Sequence, residues 1–271
     1  MTRYLNQHTK IMKMLLGPMV YIFLTGSPVY AGTVTIAVTP GTLDAVDTIA
    51  HAFEAAHAGD TVRIMVASHT ELKGAVKSLP LHLVVSDDVA LLEWLEERNI
   101  AGRPTGQPGI SVPLAVVAPL SDTADFHSTG DLLNRMKQQD AVLTISDPLK
   151  TECGQRAQIL LNTFGISAEP SARLVYSKHT EDVMALVRNG KANFGLLCAP
   201  EALKAKGIKV HGLSAPTVST PIHLFAVKQG QQSHPVAQRF LAFANSPKGR
   251  DAMKMKGYEP MLASELVRTP S

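Results

Sequence analysis

Short apolar strands that hand over through a polar loop to an amphipathic helix recur along most of this chain, and that alternation is its strongest constraint. From Gly32, the stretch Thr33-Val34-Thr35-Ile36-Ala37-Val38 alternates in a β-rich pattern, and the loop Thr39-Pro40-Gly41-Thr42 leads into Leu43–Phe53. There Leu43, Val46, Ile49, Ala50 and Phe53 repeat at helical spacing, so strand, loop and helix make the first half of a βαβ unit. The pattern returns as a strand over Thr61–Ala67, the loop Ser68-His69-Thr70 and a helix over Glu71–Lys77. It returns again as the apolar strand Leu81–Val85 and a helix over Val89–Arg98 that carries the single tryptophan, Trp94. Near-continuous apolar strands alternating with helices predict parallel sheets covered on both faces.

After a Gly- and Pro-rich loop over Gly102–Gly109, a second α/β series begins with a strand at Val112–Ala118. It continues with a helix near Asp131–Gln138, a strand Ala141–Ile145, a helix Glu152–Phe164, a strand Ala172–Tyr176, a helix Thr180–Asn189 and a strand Ala192–Cys198. A helix Glu201–Lys206, strands Val210–Leu213 and Thr220–Val227, and helices Pro235–Asn245 and Pro247–Lys256 complete the series.

Composition narrows the function classes. At 271 residues and 45% hydrophobic, the chain has material for a packed core and is too apolar for disorder. Its 26 basic and 23 acidic residues show no dense Lys/Arg clustering of the kind a nucleic-acid surface needs. Two cysteines, neither in a zinc-ligand spacing, make no disulfide scaffold and suggest no metal site by pattern. No nucleophile elbow or metal dyad marks an enzyme, so no catalytic residue and no cofactor are expected.

The first 31 residues differ from the rest. Arg3, Lys10 and Lys13 precede the apolar run Met14–Thr25, and Val29 and Ala31 are the small residues of a small-x-small exit. This reads as a secretory signal peptide cleaved after Ala31, since a membrane anchor needs roughly 20 apolar residues. The three surplus positive charges all lie in it, which leaves 23 basic and 23 acidic residues beyond it. Export predicts an oxidising compartment, a bacterial periplasm.

The order of elements and several strings resemble the periplasmic molybdate-binding proteins of ABC importers. The strings are Val34-Thr35-Ile36-Ala37 with its Thr/Gly loop, Leu83-Val84-Val85-Ser86-Asp87-Asp88, Leu114–Pro119, and Ser146-Asp147-Pro148 with Gly154 downstream. Ala185–Ala192 leading into Gly195-Leu196-Leu197, Ser246-Pro247-Lys248-Gly249 and Gly257-Tyr258-Glu259-Pro260 extend the resemblance over about residues 33–260. It implies a type II periplasmic binding protein, two α/β lobes of mostly parallel sheet joined by two crossing strands. Lobe one would be 32–115 plus 216–271 and lobe two 116–215, with crossings near Pro113–Ala118 and Pro216–Ile222. Such a protein is a monomeric, non-enzymatic clamp that closes on a small oxyanion, molybdate or tungstate, and presents it to an inner-membrane permease.

The resemblance also nominates ligand positions, where loop hydroxyls and helix-start N–H groups hold the anion. Thr39 or Thr42 would supply a hydroxyl from the first loop, although Thr42 also suits a helix N-cap. Ser68 stands in the second loop beside His69, where a small residue is expected. Cys153 and Val183 would give backbone N–H groups, and Cys198 stands where the family has a ligand-contacting Tyr. Glu152 places a carboxylate next to the expected anion. Both cysteines thus map to ligand-lining positions, and three readings stay open: a Cys153–Cys198 disulfide, two buried thiols, or a metal or redox site joined by His69, His179 or His223. The last would make the chain an accessory or sensor rather than an oxyanion carrier. Scarcity of aromatics argues against a sugar cleft, and the absence of an Arg from the polar loops, Arg156 lying beyond its turn, argues against an amino-acid cleft.

Overall fold

In the computed structural model, the described residues are 31–104, 109–123, 128–136, 141–165, 173–212, 221–228 and 234–261. The expected leader up to residue 30 and most of the second crossing lie outside them. The first series forms β1 (Thr33–Val38), a 3-10 turn at Pro40–Thr42, α1 (Leu43–Ala56), β2 (Thr61–Val66), α2 (His69–Ser78), β3 (Leu83–Ser86) and α3 (Val89–Glu97). Two short strands, β4 (Ala101–Gly102) and β5 (Ile110–Ser111), flank the expected loop. The second series is β6 (Leu114–Pro119), α4 (Thr129–Met136), β7 (Val142–Ser146), α5 (Glu152–Thr163), β8 (Arg173–Ser177), α6 (Thr180–Arg188) and β9 (Phe194–Cys198). It closes with α7 (Ala199–Ala202) and β10 (Ile208–Gly212), after which β11 (His223–Val227), α8 (Pro235–Asn245), α9 (Pro247–Lys254) and β12 (Glu259–Pro260) return to the first series.

Two five-stranded sheets result, ordered β2-β1-β3-β11-β4 and β10-β6-β9-β7-β8. Strands joined through helices pair in parallel, as in β1 with β2 and β3, and β7 with β8 and β9. The strands that carry the chain between sheets run against their neighbours: β11 is antiparallel to β3, and β6 to β9. A parallel neighbour needs a helical crossover to bring the chain back to the same edge, whereas a strand arriving from the other sheet can enter from the opposite end.

Burial follows the period of each element. On α1, Ala45, Val46, Ile49, Ala50 and Phe53 are buried, the single stripe that covers a sheet face. Strands β3 and β9 are buried at every residue because helices cover both faces of each sheet. One face of the first sheet packs Ile36 and Val85 against Phe53, Phe240 and Met253, and the other packs Val84 and Phe225 against Leu72, Leu91 and Leu95. In the second sheet Val116 and Leu196 meet Leu160 and Leu161 of α5, while Val117 and Leu197 meet Val183 and Val187 of α6. Asp60 and Arg239 tie α8 to the start of β2 through two hydrogen bonds of 2.7 and 2.8 Å, with the Asp60 side chain only 2% exposed. Trp94 lies on the outer side of α3 beneath Lys73, Lys77 and Arg98, so it is no sugar platform.

Candidate functional site

The turn at Pro40-Gly41, from the first sheet, faces the starts of α5 and α7 and the end of β9, from the second. A cavity of about 370 Å³ between them is lined by Gly41, Asp44, Thr151, Glu152, Cys153, Arg156, Thr180, Cys198, Glu201 and Tyr258, among others. A salt bridge of 3.0 Å from Arg156 to Asp87 and one of 2.7 Å from Lys204 to Asp44 connect the two sheets' elements around it.

Helix α5 presents its N-terminus here because Thr151 caps it: the Thr151 hydroxyl accepts the Gly154 N–H at 3.0 Å, and Gln155 N–H returns to the Thr151 carbonyl. Helix geometry leaves the N–H groups of Glu152 and Cys153 as the open donors of this turn. One turn on, Arg156 projects from the same face as Glu152. Its side chain is 9% exposed; Nη2 donates to Asp87, while Nη1 is buried without a hydrogen-bond partner. A guanidinium beside a helix N-terminus is a local anion-attracting pair of charges.

Glu152 opposes it. Its carboxylate lies against Gly41, filling the space that any side chain at position 41 would need. Burial pushes its pKa above the usual carboxylate range and Asp87 and Glu201 push the same way, against Arg156 and His69. The protonated form is therefore favoured more than in water.

The cysteine pair occupies the other wall. Both are free, at 4% and 6% exposure, so of the three readings of the pair the disulfide is not formed in the structure. The Cys198 backbone N–H donates to the Cys153 sulfur instead. Burial, above all, pushes the Cys153 thiol well up, with the neighbouring Cys198 and Glu201 adding to it. Tyr258 is pushed out of its normal range upward by the same desolvation.

The nominated positions divide. Cys153 and Cys198 line the cavity; the other four make different contacts. Thr42 turns its hydroxyl to the carbonyls of Thr39 and Val85, 3.0 and 3.2 Å away, and the Thr39 hydroxyl contacts Thr42. Thr42 occupies the N-cap of α1 but makes no side-chain capping bond. Ser68 caps α2 in a reciprocal capping box with Glu71. Val183 is fully buried and its N–H returns to the His179 carbonyl at 3.4 Å, so the cavity-facing residue at the start of α6 is Thr180. His69 pairs with Asp88 at 2.9 Å, His179 begins α6, and His223 lies in the first sheet; among the described residues none joins the thiols.

Two residues that sequence reasoning does not nominate, Arg156 and Glu201, line the cavity. Arg156 was discounted as lying beyond the loop, although its i+4 spacing from Glu152 puts both on one helix face. Glu201 follows Cys198 by three residues in Cys198-Ala199-Pro200-Glu201, the one local signal for it.

The family of bacterial extracellular solute-binding proteins matches residues 34–259. The molybdate-binding protein ModA of Escherichia coli is 23% identical over 232 residues, 84% of this chain and 89% of its own length. Among solved structures, the substrate-binding domain of a molybdenum ABC transporter from Clostridium difficile superposes with a TM-score of 0.70 at 17% identity, over 84% of this chain and 98% of that one. The tungstate-binding protein TupA of Desulfovibrio alaskensis gives 0.60 at 13% identity, over 86% and 100%. At these identities the superpositions establish the two-lobed fold.

Proposed function

We propose, for a chain that belongs to the bacterial extracellular solute-binding proteins, that its cleft holds a small tetrahedral oxyanion, molybdate or tungstate, for an ABC importer. Residues 1–31 act as the export leader, and the mature protein works in the periplasm as a monomeric clamp without chemistry of its own. Its lobes are 32–115 with 216–271, and 116–215, and the strand at Leu114–Pro119 is one of the hinges.

The observation that carries this reading is Arg156. A buried guanidinium nitrogen without a partner costs stability unless a ligand supplies the acceptor. It lines one cavity with the open N–H groups of Glu152 and Cys153. Three donors around one cleft suit an anion with oxygens in several directions. The hydroxyl of Thr180 is a further candidate donor, although it is presently bonded to Glu201 at 3.1 Å. Glu152 must swing off Gly41, or hold its proton, to admit a dianion.

Calorimetric titration of the mature protein with molybdate, tungstate, sulfate and phosphate tests the reading. Heat and a rise in melting temperature with molybdate or tungstate are expected, and both should vanish in Arg156→Gln. Absence of heat and of any shift with all four anions removes the oxyanion assignment.

A further inference from the structure

The oxyanion reading leaves two buried thiols and a carboxylate without a task. Cys153 stands at the second position of α5, Cys198 at the end of β9, and Glu201 in the short helix that follows. Their ligand atoms all lie within 4.8 Å of one another, and all three line the cavity. We propose that Cys153, Cys198 and Glu201 form a binding site for a thiophilic divalent cation of the zinc class.

Donor chemistry selects the ion. Two sulfurs exclude hard cations such as Mg²⁺ and Ca²⁺, and the carboxylate oxygen favours a borderline ion over one that is purely soft. A tetrahedral ion sits about 2.3 Å from sulfur and about 2.1 Å from oxygen, so its ligand atoms stand roughly 3.5–3.8 Å apart. The present spacing is within about an ångström of that, a change that side-chain rotation can supply. The protein also supports the ligands. The Cys198 backbone N–H points at the Cys153 sulfur, and the Thr180 hydroxyl donates to Glu201 at 3.1 Å, orienting its carboxylate. Access is through the cavity. Two further carboxylates, Asp44 and Glu152, line the same space, where Asp44 pairs with Lys204 and Arg156 with Asp87. Three protein ligands would leave a fourth position facing the cavity.

The test uses the mature protein, reduced and desalted, with two free thiols confirmed by counting and no oxyanion present. Cd²⁺ is titrated and the sulfur-to-metal charge-transfer absorbance is followed, with Zn²⁺ added afterwards as competitor. Saturation at one Cd²⁺ per chain, and displacement by Zn²⁺, are expected. Cys153→Ser and Cys198→Ser, each checked for folding by its melt, should weaken Cd²⁺ binding by about a hundredfold or more, beyond what loss of a merely supporting partner costs. Glu201→Gln should weaken it by about tenfold or more. No charge-transfer band in the folded, reduced protein overturns the proposal. So does a band undiminished in either serine variant, or an unchanged affinity in Glu201→Gln. Since no oxyanion enters the titration, each of these results leaves the oxyanion reading standing or falling on its own experiment.

Discussion

His223 predicts a measurable acid sensitivity in the strand that brings the chain back to the first sheet. It opens β11 opposite Ser86 of β3, is 7% exposed, and meets Phe225 edge-on. Burial first, and the Arg103 guanidinium second, lower its pKa from 6.5 to about 4. In the unfolded chain the imidazole takes its proton near pH 6.5, whereas in the native protein it stays neutral until about pH 4. Between those values the unfolded state binds more protons, so stability falls as pH drops through the window. Each pH unit is worth about 1.4 kcal/mol once the unfolded site is protonated, giving a loss of about 2 kcal/mol by pH 5 and about 3 kcal/mol by pH 4. Above pH 7 the residue contributes no pH dependence. Urea unfolding of wild type and His223→Gln at a series of pH values from 7 to 4.5 measures this. The substitution removes a ring contact at every pH, which offsets the two curves by a constant. The pH-dependent part is separate: the variant should gain about 2 kcal/mol relative to wild type between pH 7 and pH 5. Parallel curves over that range would refute the argument, because they would mean that the native imidazole protonates as readily as the unfolded one.

Other expectations follow from particular contacts. Gly154→Ala places a Cβ 2.7 Å from the Thr151 hydroxyl and 2.8 Å from the Ser146 carbonyl carbon, so the backbone must move. The strain, about 1–3 kcal/mol, outweighs the gain of about 1 kcal/mol in helix propensity, and a urea midpoint below wild type is expected. Asp60→Asn weakens a pair whose carboxylate is almost wholly buried and should cost about 2–3 kcal/mol at pH 7, read by thermal melting. The Arg239 guanidinium holds the Asp60 pKa down, so the stabilisation is present above the unfolded value of 3.8 and is lost as pH falls below it. Glu152→Gln removes a negative charge beside the proposed anion and should tighten molybdate binding by about tenfold or more by calorimetry at pH 7.5. Unchanged or weaker binding would show that Glu152 carries no negative charge against the anion in the complex.

Much of the architecture is legible in the sequence. The pattern Leu43, Val46, Ile49, Ala50, Phe53 predicts α1 and the face it buries, and the bounds of α8 are the expected Pro235–Asn245. Elsewhere the expected bounds moved by a few residues: Val112–Ala118 became Leu114–Pro119, and Glu201–Lys206 became Ala199–Ala202. Strands of two residues such as β4 and β5 left no periodicity to read. They exist because β11 and β12 offer them a partner.

The site was less legible, for a physical reason visible residue by residue. Thr39 and Thr42 have the side chains of anion ligands, yet which acceptor a hydroxyl finds depends on the carbonyl that another strand brings near, here that of Val85. Arg156 reads locally as a surface residue of an amphipathic helix. In the folded protein it is buried, pairs with Asp87 from the other sheet's elements and leaves one nitrogen unpartnered. The sequence by itself determined the alternation of strand and helix, since that rests on contacts within a few residues. Only the tertiary structure decided that Arg156, Glu152 and the Cys153, Cys198 and Glu201 cluster share one cavity. That sharing depends on how α5, β9 and the Pro40-Gly41 turn pack, a long-range outcome with no periodic trace along the chain.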